Sequence, residues 1–340
     1  MATFNITALR GDQSQNEWVC QIIATEGVVG FLGNLIVCLV ILRAKFLHTL
    51  TNYMLINLAA ADGLLCLCAF FDNLVASPNC ALLRYVSASP VGRELFCRLL
   101  ASHFLTWVFG YASAFNLCLV TLERYAAIVH PLKYARLLTA TRMKALVALT
   151  WWTSVLMSLP FPFTIQSSDD PQKACSTFQY SHQAVPILLG VFVVLINYLL
   201  PIILMSLAYY KIQVTLKQQA AALGLQQARA AAYDLLIARQ RLVSMLTVVL
   251  GALAVLWTPG FLTVLLCLDP TESSTFSFCG SQGYRYARGV GNILFYFNSV
   301  INPVIYEFKY KKFRQGLRQL FCRCFNKHGT NSVDTEMTPS

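Results

Sequence analysis

Seven long apolar stretches recur along the chain, and they restrict its fold more than any other feature of the sequence. About twenty apolar residues are needed to cross the hydrocarbon core of a bilayer. The third stretch provides them from Leu99 to Leu122, with no lysine, arginine or carboxylate. We therefore predict an all-α membrane protein, a seven-transmembrane helix bundle, with spans near residues 18–42, 51–76, 96–127, 144–164, 185–210, 241–267 and 286–306.

The content and distribution of charge support this prediction. Only 12% of the 340 residues are charged, whereas a soluble domain would carry about 25%. Of the 26 lysines and arginines, nineteen fall in the segments on one side of the predicted bundle and seven on the other. By the positive-inside rule, the N-terminus is predicted outside the cell and the C-terminus in the cytosol, with the chain in the plasma membrane. Because this asymmetry explains the net charge of +11, we predict no nucleic-acid partner.

Four regions follow from this topology. Residues 1–17 are predicted to be an extracellular N-terminal segment, in which Asn5 begins a sequon for glycosylation. Residues 18–306 form the seven-transmembrane domain, residues 307–324 a surface helix with an acylation region, and residues 325–340 a cytosolic tail.

The surface helix is predicted from an amphipathic pattern after the last span. The apolar residues fall on one face and the basic residues on the other, which is typical of a helix lying in the membrane interface. The apolar residues are Phe313, Leu317, Leu320 and Phe321. The surface helix would be the eighth helix of the bundle. Cys322 and Cys324 follow, and acyl chains on them would add a second membrane anchor; two reduced thiols are the alternative.

The inner connection at 211–240 is rich in alanine, glutamine and leucine and contains no proline. This composition favours helix, so we predict that the fifth and sixth helices extend beyond the membrane.

A charged triplet, Glu123-Arg124-Tyr125, stands at the apolar edge of the third span. An arginine at this depth is costly unless it pairs or reaches water, and Glu123 is the neighbour that can neutralise it. The triplet is interpreted as a charge latch that opens when a partner arrives. An arginine that only anchors the end of a helix is the alternative.

Polar side chains also occur inside the spans, and Asp62 in the second is the most demanding of them. A carboxylate deep in a bilayer indicates a functional site. The spans supply neutral oxygens that could surround it, to hold water or a monovalent cation; a structural hydrogen-bonded cluster is the alternative. These side chains are Ser113, Asn116, Asn298, Ser299 and Asn302.

Prolines mark four of the spans, at Pro160, Pro201, Pro259 and Pro303. Proline removes a backbone hydrogen bond and kinks a helix, so each is expected to let the two halves of its span pivot. Trp257 stands just before Pro259, so a ligand that presses on this side chain could swing the inner end of the sixth helix.

Together these residues resemble the rhodopsin-like (class A) G-protein-coupled receptors, over about residues 18–324. Each motif alone is weak, but they occur in order along the spans. They are Gly33-Asn34, the stretch ending at Asp62, Glu123-Arg124-Tyr125 with His130-Pro131-Leu132, Trp151-Trp152, Pro201 with Tyr209, Trp257-Thr258-Pro259, and Asn302-Pro303 through Tyr306.

The resemblance implies a receptor that binds an extracellular ligand and activates heterotrimeric G proteins, with arrestin, receptor kinases and membrane lipid as further partners. It implies an internal sodium ion as the one cofactor-like group, held by Asp62, Ser113, Asn298 and Ser299. It assigns coupling and activation to Glu123, Arg124, Tyr125, Tyr209, Trp257, Pro259, Asn302, Pro303 and Tyr306.

The cysteines depart slightly from the family pattern. Cys97 lies 27 residues before Arg124, where the family spacing is usually shorter, yet the resemblance still implies a disulfide between Cys97 and Cys175. Cys20 and Cys279 are the candidates for a second bridge, and Cys80 is an alternative partner for either. Leu253 and Leu256 replace the usual phenylalanine and cysteine near Trp257.

The resemblance also places a ligand pocket between the outer halves of the spans. Biogenic-amine receptors carry an aspartate at the position of Thr106 and opsins a lysine at that of Tyr296, so neither ligand class is favoured. Asp72 and Arg288 are the charges expected to meet a ligand, with solvated rim charges as the alternative. The predicted pocket residues are Asp72, Thr106, Trp107, Gly110, Tyr111, Val193, Asn197, Phe261, Val264, Arg288, Asn292 and Tyr296.

From these residues we expect a neuropeptide receptor; a receptor for a small polar or lipid mediator or an odorant-like ligand is the alternative. A seven-span transporter or channel is disfavoured, because apolar layers separate the polar outer and inner parts. No spacing in the sequence indicates an enzyme. His103, a lone histidine in a predicted span, is interpreted as a hydrogen-bonded core residue.

Overall fold

Helices make up nearly all of the structure, a computed structural model that describes residues 17–75, 89–168, 175–178, 182, 184–225, 230–267, 279 and 281–328. The predicted sequon at Asn5, the cysteine Cys80 and the end of the tail lie outside these residues. Cys322 and Cys324 lie on a described helix, but their side chains are outside the description.

The seven predicted spans are all found as helices within the described residues. We call the end of the bundle at Cys97 the outer side and the end at Arg124 the inner side. The spans are Glu17–Arg43, Leu50–Val75, Phe104–Val129 with the preceding turns Pro90–Leu95 and Phe96–Ala101, Ala140–Ser158, Ala184–Val194 continuing through Leu195–Leu199 into Leu200–Leu225, Ala230–Leu266, and Gln282–Lys309.

The third span stands at the centre of the bundle. It packs against the second, fourth and fifth spans, while the first span packs against the second and seventh and the sixth against the seventh and fifth. This arrangement gathers the polar faces of the second, third and seventh spans in the interior. The fourth span, by contrast, buries little of its length.

Six of the described helices are long and apolar enough to cross a membrane by length and composition. The helix at Gln282–Lys309 is also long, at 28 residues, but it carries Arg285, Arg288, Asn292, Asn298 and Asn302. Most of its buried positions near the inner end are polar or tyrosine, because this face lines the interior of the bundle rather than meeting lipid. The chain is thus a multi-pass membrane protein with a polar seventh span.

The outer end of the third span is irregular. A π-helical turn covers Phe96–Ala101, and His103 adopts a left-handed conformation with φ 56° and ψ 32° before the regular helix begins at Phe104. A π-turn accommodates an extra residue relative to an α-turn. This segment therefore absorbs the additional residues between Cys97 and Arg124.

Three of the four prolines lie inside helices, but Pro160 does not. The fourth helix ends at Ser158, and Pro160 begins a short 3-10 turn at Phe161–Phe163. The predicted kink at this position is therefore wrong: the proline, which cannot continue a helix, follows its end. In the fifth span, the π-helical turn Leu195–Leu199 ends two residues before Pro201.

A two-stranded antiparallel sheet covers part of the outer side. Strand β1 (Ile165–Ser167) pairs with β2 (Cys175–Thr177), so that Ser167 lies opposite Cys175. Cys175 forms a disulfide with Cys97, with a Cα–Cα distance of 5.7 Å. The predicted outer bridge is confirmed, and it fixes this sheet to the third span.

The second predicted bridge is wrong. Cys279 pairs with Cys267, twelve residues earlier, and Cys20 is a free, half-buried cysteine. Cys267 directly follows the sixth helix and Cys279 lies just before the seventh, so the bridge closes the short connection between these two spans. A bridge from Cys279 to Cys20 is excluded because Cys267 already occupies its sulfur.

On the inner side, the fifth helix extends to Leu225 and the sixth begins at Ala230, as predicted. The surface helix runs from Lys311 to His328, after a break at Tyr310, and so extends beyond the predicted end at residue 324. It packs beneath the first span at Gly316, where an added Cβ would lie 2.9 Å from Val40 Cγ1 and 3.1 Å from Leu47 Cδ1. Glycine permits this close approach, because a larger residue would have to displace these two side chains.

Candidate functional site

An outer polar cluster joins the second, third and seventh spans. Thr106 donates a hydrogen bond of 2.9 Å to Asp72 Oδ2, and His103 Nδ1 lies 2.8 Å from the same oxygen. Because a carboxylate only accepts hydrogen bonds, Nδ1 carries the proton in this contact. The hydroxyl of Tyr296 forms a hydrogen bond with the Thr106 side chain and interacts electrostatically with Asp72. We call Asp72, His103, Thr106 and Tyr296 the outer cluster.

This arrangement corrects the interpretation of His103 as a core residue. Its side chain is 53% exposed, whereas that of Asp72 is 16% exposed. The sequence did not indicate the contact with Asp72, because the π-helical turn and the left-handed backbone of His103 itself direct this side chain toward the second span. A regular helical register over this segment cannot reveal that orientation.

Below the outer cluster, an aromatic ladder crosses the bundle. Trp107 stacks on Phe161 at 4.5 Å between ring centroids and lies 6.1 Å from Phe295, which is 5.1 Å from Trp257. Gly110 permits this packing, since an added Cβ would lie 3.1 Å from Phe295 Cζ. The ladder therefore links the outer side to Trp257 in the sixth span. Phe161 and Phe295 were not among the predicted pocket residues.

Two predicted pocket residues present buried polar atoms without a hydrogen-bond partner in the described part of the chain. They are Tyr111, through its hydroxyl, and Asn197, through both amide atoms; the indole nitrogen of Trp257, a predicted activation residue, also lacks a partner there. A buried polar group of this kind normally has a partner, so these atoms are suited to water or to a polar ligand.

The remaining pocket residues differ in exposure. Phe261 and Val193 are buried, and Phe261 stacks on Tyr198 with centroids 4.7 Å apart. Val264, Arg288 and Asn292 are exposed. Arg288 therefore remains a candidate for a solvated charge at the rim of the pocket. Asp72, the other predicted charge, has a mostly buried side chain.

Deeper in the bundle, Asp62 is fully buried and accepts three hydrogen bonds. Ser113 and Ser299 donate to Oδ1 at 2.6 and 2.8 Å, and Asn302 donates to Oδ2 at 2.8 Å. Asn34 ties the first span to this place through a bond of 3.0 Å to the backbone oxygen of Ser299. The second, third and seventh spans therefore converge on one carboxylate.

Two of the residues expected around Asp62 behave differently. Asn116 accepts bonds from Asn57 Nδ2 at 2.5 Å and Thr150 Oγ1 at 3.1 Å, so it belongs to a separate network against the fourth span. Asn298 is buried, and its Oδ1 atom has no partner in the described residues; the same is true of Asn302 Oδ1. The Asn302 oxygen, with the carboxylate of Asp62 and the two serine hydroxyls bound to it, forms a donor set that suits a hard monovalent cation or water.

The predicted charge pair is present at the inner end of the third span. Arg124 donates to both carboxylate oxygens of Glu123 and to the Thr51 hydroxyl. Tyr134 donates to Glu123 Oε1 at 2.6 Å, and Thr51 lies 3.3 Å from Oε2. We call these four residues the inner latch. Thr51 and Tyr134 come from the second span and the inner loop, and no motif in the sequence indicated them.

The other activation residues surround this latch. The Tyr209 hydroxyl lies 3.0 Å from Thr121 Oγ1, which donates to the Leu117 backbone oxygen, so tyrosine is the donor between the two. The Tyr306 hydroxyl is buried without a partner in the described residues. Tyr125 is half-buried and packs on the ring of His130, and Pro259 and Pro303 lie within continuous helices.

Comparison with known proteins agrees with this geometry. Residues 33–306 match the family of 7 transmembrane receptors (rhodopsin family). The chain is 30% identical to somatostatin receptor type 4 of Rattus norvegicus over 91% of this chain and 74% of the relative. It is 30% identical to neuromedin-U receptor 2 of Rattus norvegicus over 86% and 72%, and 27% identical to the histamine H2 receptor of Homo sapiens over 88% and 78%. The chain therefore belongs to the rhodopsin family of seven-transmembrane receptors, the class A G-protein-coupled receptors.

Proposed function

We propose that the protein is a plasma-membrane receptor for an extracellular peptide, with its N-terminus outside and its C-terminus in the cytosol, and that it activates heterotrimeric G proteins. The observation that carries the proposal is the closed inner latch, in which Arg124 is held by Glu123 and only 16% exposed. Arg124 can contact a cytosolic partner once this pair separates. Ligand and G protein therefore bias the same conformational equilibrium from opposite ends.

A neuropeptide is the ligand class supported best. Two of the relatives are a somatostatin receptor and a neuromedin-U receptor, and the outer pocket combines the polar outer cluster with a row of aromatic rings. A small polar mediator is the second candidate. One relative is a histamine receptor, and Asp72 places a carboxylate directly beside Thr106.

Activation would pass through the aromatic ladder. A ligand that displaces Phe295 changes the packing of Trp257, since their centroids are 5.1 Å apart. Trp257 stands beside Pro259, where the helix lacks a backbone hydrogen bond and is easier to bend. The inner end of the sixth span, which packs against the fifth, would then move away from the latch.

We also propose that Asp62, Ser113, Asn298 and Ser299 hold a sodium ion, which would supply the positive charge that a buried carboxylate requires. The unpartnered Asn298 Oδ1 atom supports this proposal. By tying the second, third and seventh spans together, these side chains would favour the packing in which the latch is closed.

The inner surface would serve further partners. Threonine and serine residues in the C-terminal segment, such as Thr330 and Ser332, offer hydroxyls to receptor kinases, and the added phosphate charge would recruit arrestin. Membrane lipid would hold the amphipathic surface helix, with acyl chains on Cys322 and Cys324 as a second anchor. Asn5 would carry a glycan outside the cell.

A library of peptides and metabolites, screened in cells with a G-protein dissociation readout, tests the proposed function. Active compounds should be peptides, and the Arg124→Ala variant, delivered to the surface in equal amount, should lose the response. The proposed role of the inner latch in G-protein coupling fails if the response survives in Arg124→Ala. The peptide assignment fails if only non-peptide compounds are active.

The orientation has its own test. A tag before Met1 should be labelled by antibody on intact cells, and a tag after Ser340 only after permeabilisation. The reverse pattern would contradict the receptor topology.

A further inference from the structure

We propose that Asp72 is the binding site for a positively charged group of the ligand, and that His103 occupies this carboxylate until the ligand arrives. The inference deepens the proposed function and rests on it, because it names the chemistry of the ligand: an arginine or lysine side chain, or a free amine. His103 is thereby a residue that determines specificity rather than a structural one.

The geometry of Asp72 supplies the first argument. His103 and Thr106 both approach Oδ2, at 2.8 and 2.9 Å, while no hydrogen bond to Oδ1 is found among the described residues. The side chain is 16% exposed, so the carboxylate has lost most of its water. A second donor is therefore accommodated on Oδ1 without breaking the bond from Thr106.

The charge balance supplies the second argument. Among the described residues, the histidine His103 is the ion-pair candidate beside Asp72, and neither lysine nor arginine forms an ion pair with this carboxylate. A mostly buried carboxylate is unfavourable without a firm positive partner. A ligand cation would form a charge-assisted hydrogen bond stronger than the one from a neutral imidazole. The cluster thus favours cationic over neutral or acidic ligands.

The conformation of His103 supplies the third argument. It is the one non-glycine residue with a positive φ within the described part of the chain. This left-handed conformation is unfavourable for a residue with a Cβ, and such strained residues concentrate at ligand-binding and switch positions. Because its side chain is 53% exposed, the imidazole can rotate into solvent and release Asp72.

The position of the cluster explains how a bound cation would act. Thr106 is the neighbour of Trp107, which starts the aromatic ladder to Phe295 and Trp257. A ligand anchored at Asp72 would therefore place the group next to its cation over these rings. Tyr296 of the seventh span, which adjoins Phe295, is part of the same cluster.

A pair of small probes tests the inference without knowledge of the natural ligand. Arginine amide and citrulline amide, both used with an acetylated α-amine, have nearly the same shape, and arginine amide alone carries a cation, its guanidinium. The measurement is the midpoint of thermal unfolding of the purified full-length receptor, which rises when a probe binds the folded state. Ionic strength is held constant.

Arginine amide should raise the midpoint of the unmodified receptor at lower concentration than citrulline amide does. Asp72→Asn should weaken the binding of arginine amide by about 10- to 100-fold, which corresponds to the loss of a charge-assisted hydrogen bond. His103→Asn should strengthen it, because the competing donor is removed. His182→Asn, which alters another exposed outer histidine, should change neither value.

The inference is overturned if the two probes stabilise the unmodified receptor equally, a comparison that needs no variant to fold. It is also overturned if Asp72→Asn keeps the preference for arginine amide, or if His103→Asn weakens it. These outcomes do not bear on the proposed function, because G-protein coupling is tested separately by the library screen and the Arg124→Ala variant. Conversely, a clear preference for arginine amide stands even if the library screen yields only non-peptide agonists.

Discussion

Tyr134 donates a hydrogen bond of 2.6 Å to the carboxylate of Glu123, and so ties the inner loop after the third span to the charged end of that span. Burial and the neighbouring Glu123 raise the pKa of Tyr134 to about 12. The hydroxyl therefore keeps its proton at physiological pH and acts as a constant donor. The closed latch depends on this loop as well as on the charge pair itself.

Replacing Tyr134 with phenylalanine should open the latch more often. The change removes one hydrogen bond to a charged group, worth about 1.5–3 kcal/mol, from the closed state alone. We expect higher ligand-independent G-protein activation at equal surface expression. Tyr210→Phe is the matched control, because Tyr210 is exposed on the fifth span. Unchanged or lower basal activity in Tyr134→Phe would show that this bond does not restrain activation.

Sodium should stabilise the receptor through Asp62. At constant ionic strength, replacing potassium chloride by sodium chloride should raise the thermal unfolding midpoint of the purified protein, since the ion binds the folded state. Once an agonist is known, sodium should also weaken its binding. Asp62→Asn should abolish both effects, and Asp72→Asn should leave the first intact. Equal midpoints in sodium and potassium would rule out the sodium site.

The sixth and seventh spans should separate if Gly291 gains a side chain. A Cβ at this position would lie 2.9 Å from Gly260 Cα, a backbone atom that cannot rotate away. We expect Gly291→Ala to lower the free energy of unfolding by about 1–3 kcal/mol, as overpacking does. Gly251→Ala is the control, because nothing lies within 4 Å of its Cβ. A midpoint for Gly291→Ala equal to that of Gly251→Ala would refute the close contact.

The bridge between Cys267 and Cys279 should be detectable from the stability that the single and double variants lose. Cys267→Ala and Cys279→Ala should each reduce stability by about 2–4 kcal/mol, and the double variant should be no worse than either single one. Cys20→Ala should have little effect, because this cysteine is free. Peptide mapping under non-reducing conditions gives the pairing directly, and a Cys20–Cys279 peptide would contradict the structure.

The seven spans, the surface helix and the helical extensions at the inner side were predictable from the sequence, whereas the pairing of Cys97 with Cys175 was implied by the family resemblance. Hydropathy and helix propensity act over local windows, so they survive in the sequence whatever the tertiary packing. The pair Glu123–Arg124 was predictable for the same reason, since its members are neighbours in the chain. The ends of the helices were predicted less accurately, as the fourth helix shows by ending before Pro160.

Contacts between spans were decided by the tertiary structure alone. Asp72 meets Thr106 and His103, Thr51 reaches the inner latch, and Asn116 turns away from Asp62. Each depends on how far one helix is rotated and shifted against another, which the packing of many side chains fixes together. A π-helical turn and one left-handed residue were enough to turn His103 toward Asp72, and no local pattern in the chain records that rotation.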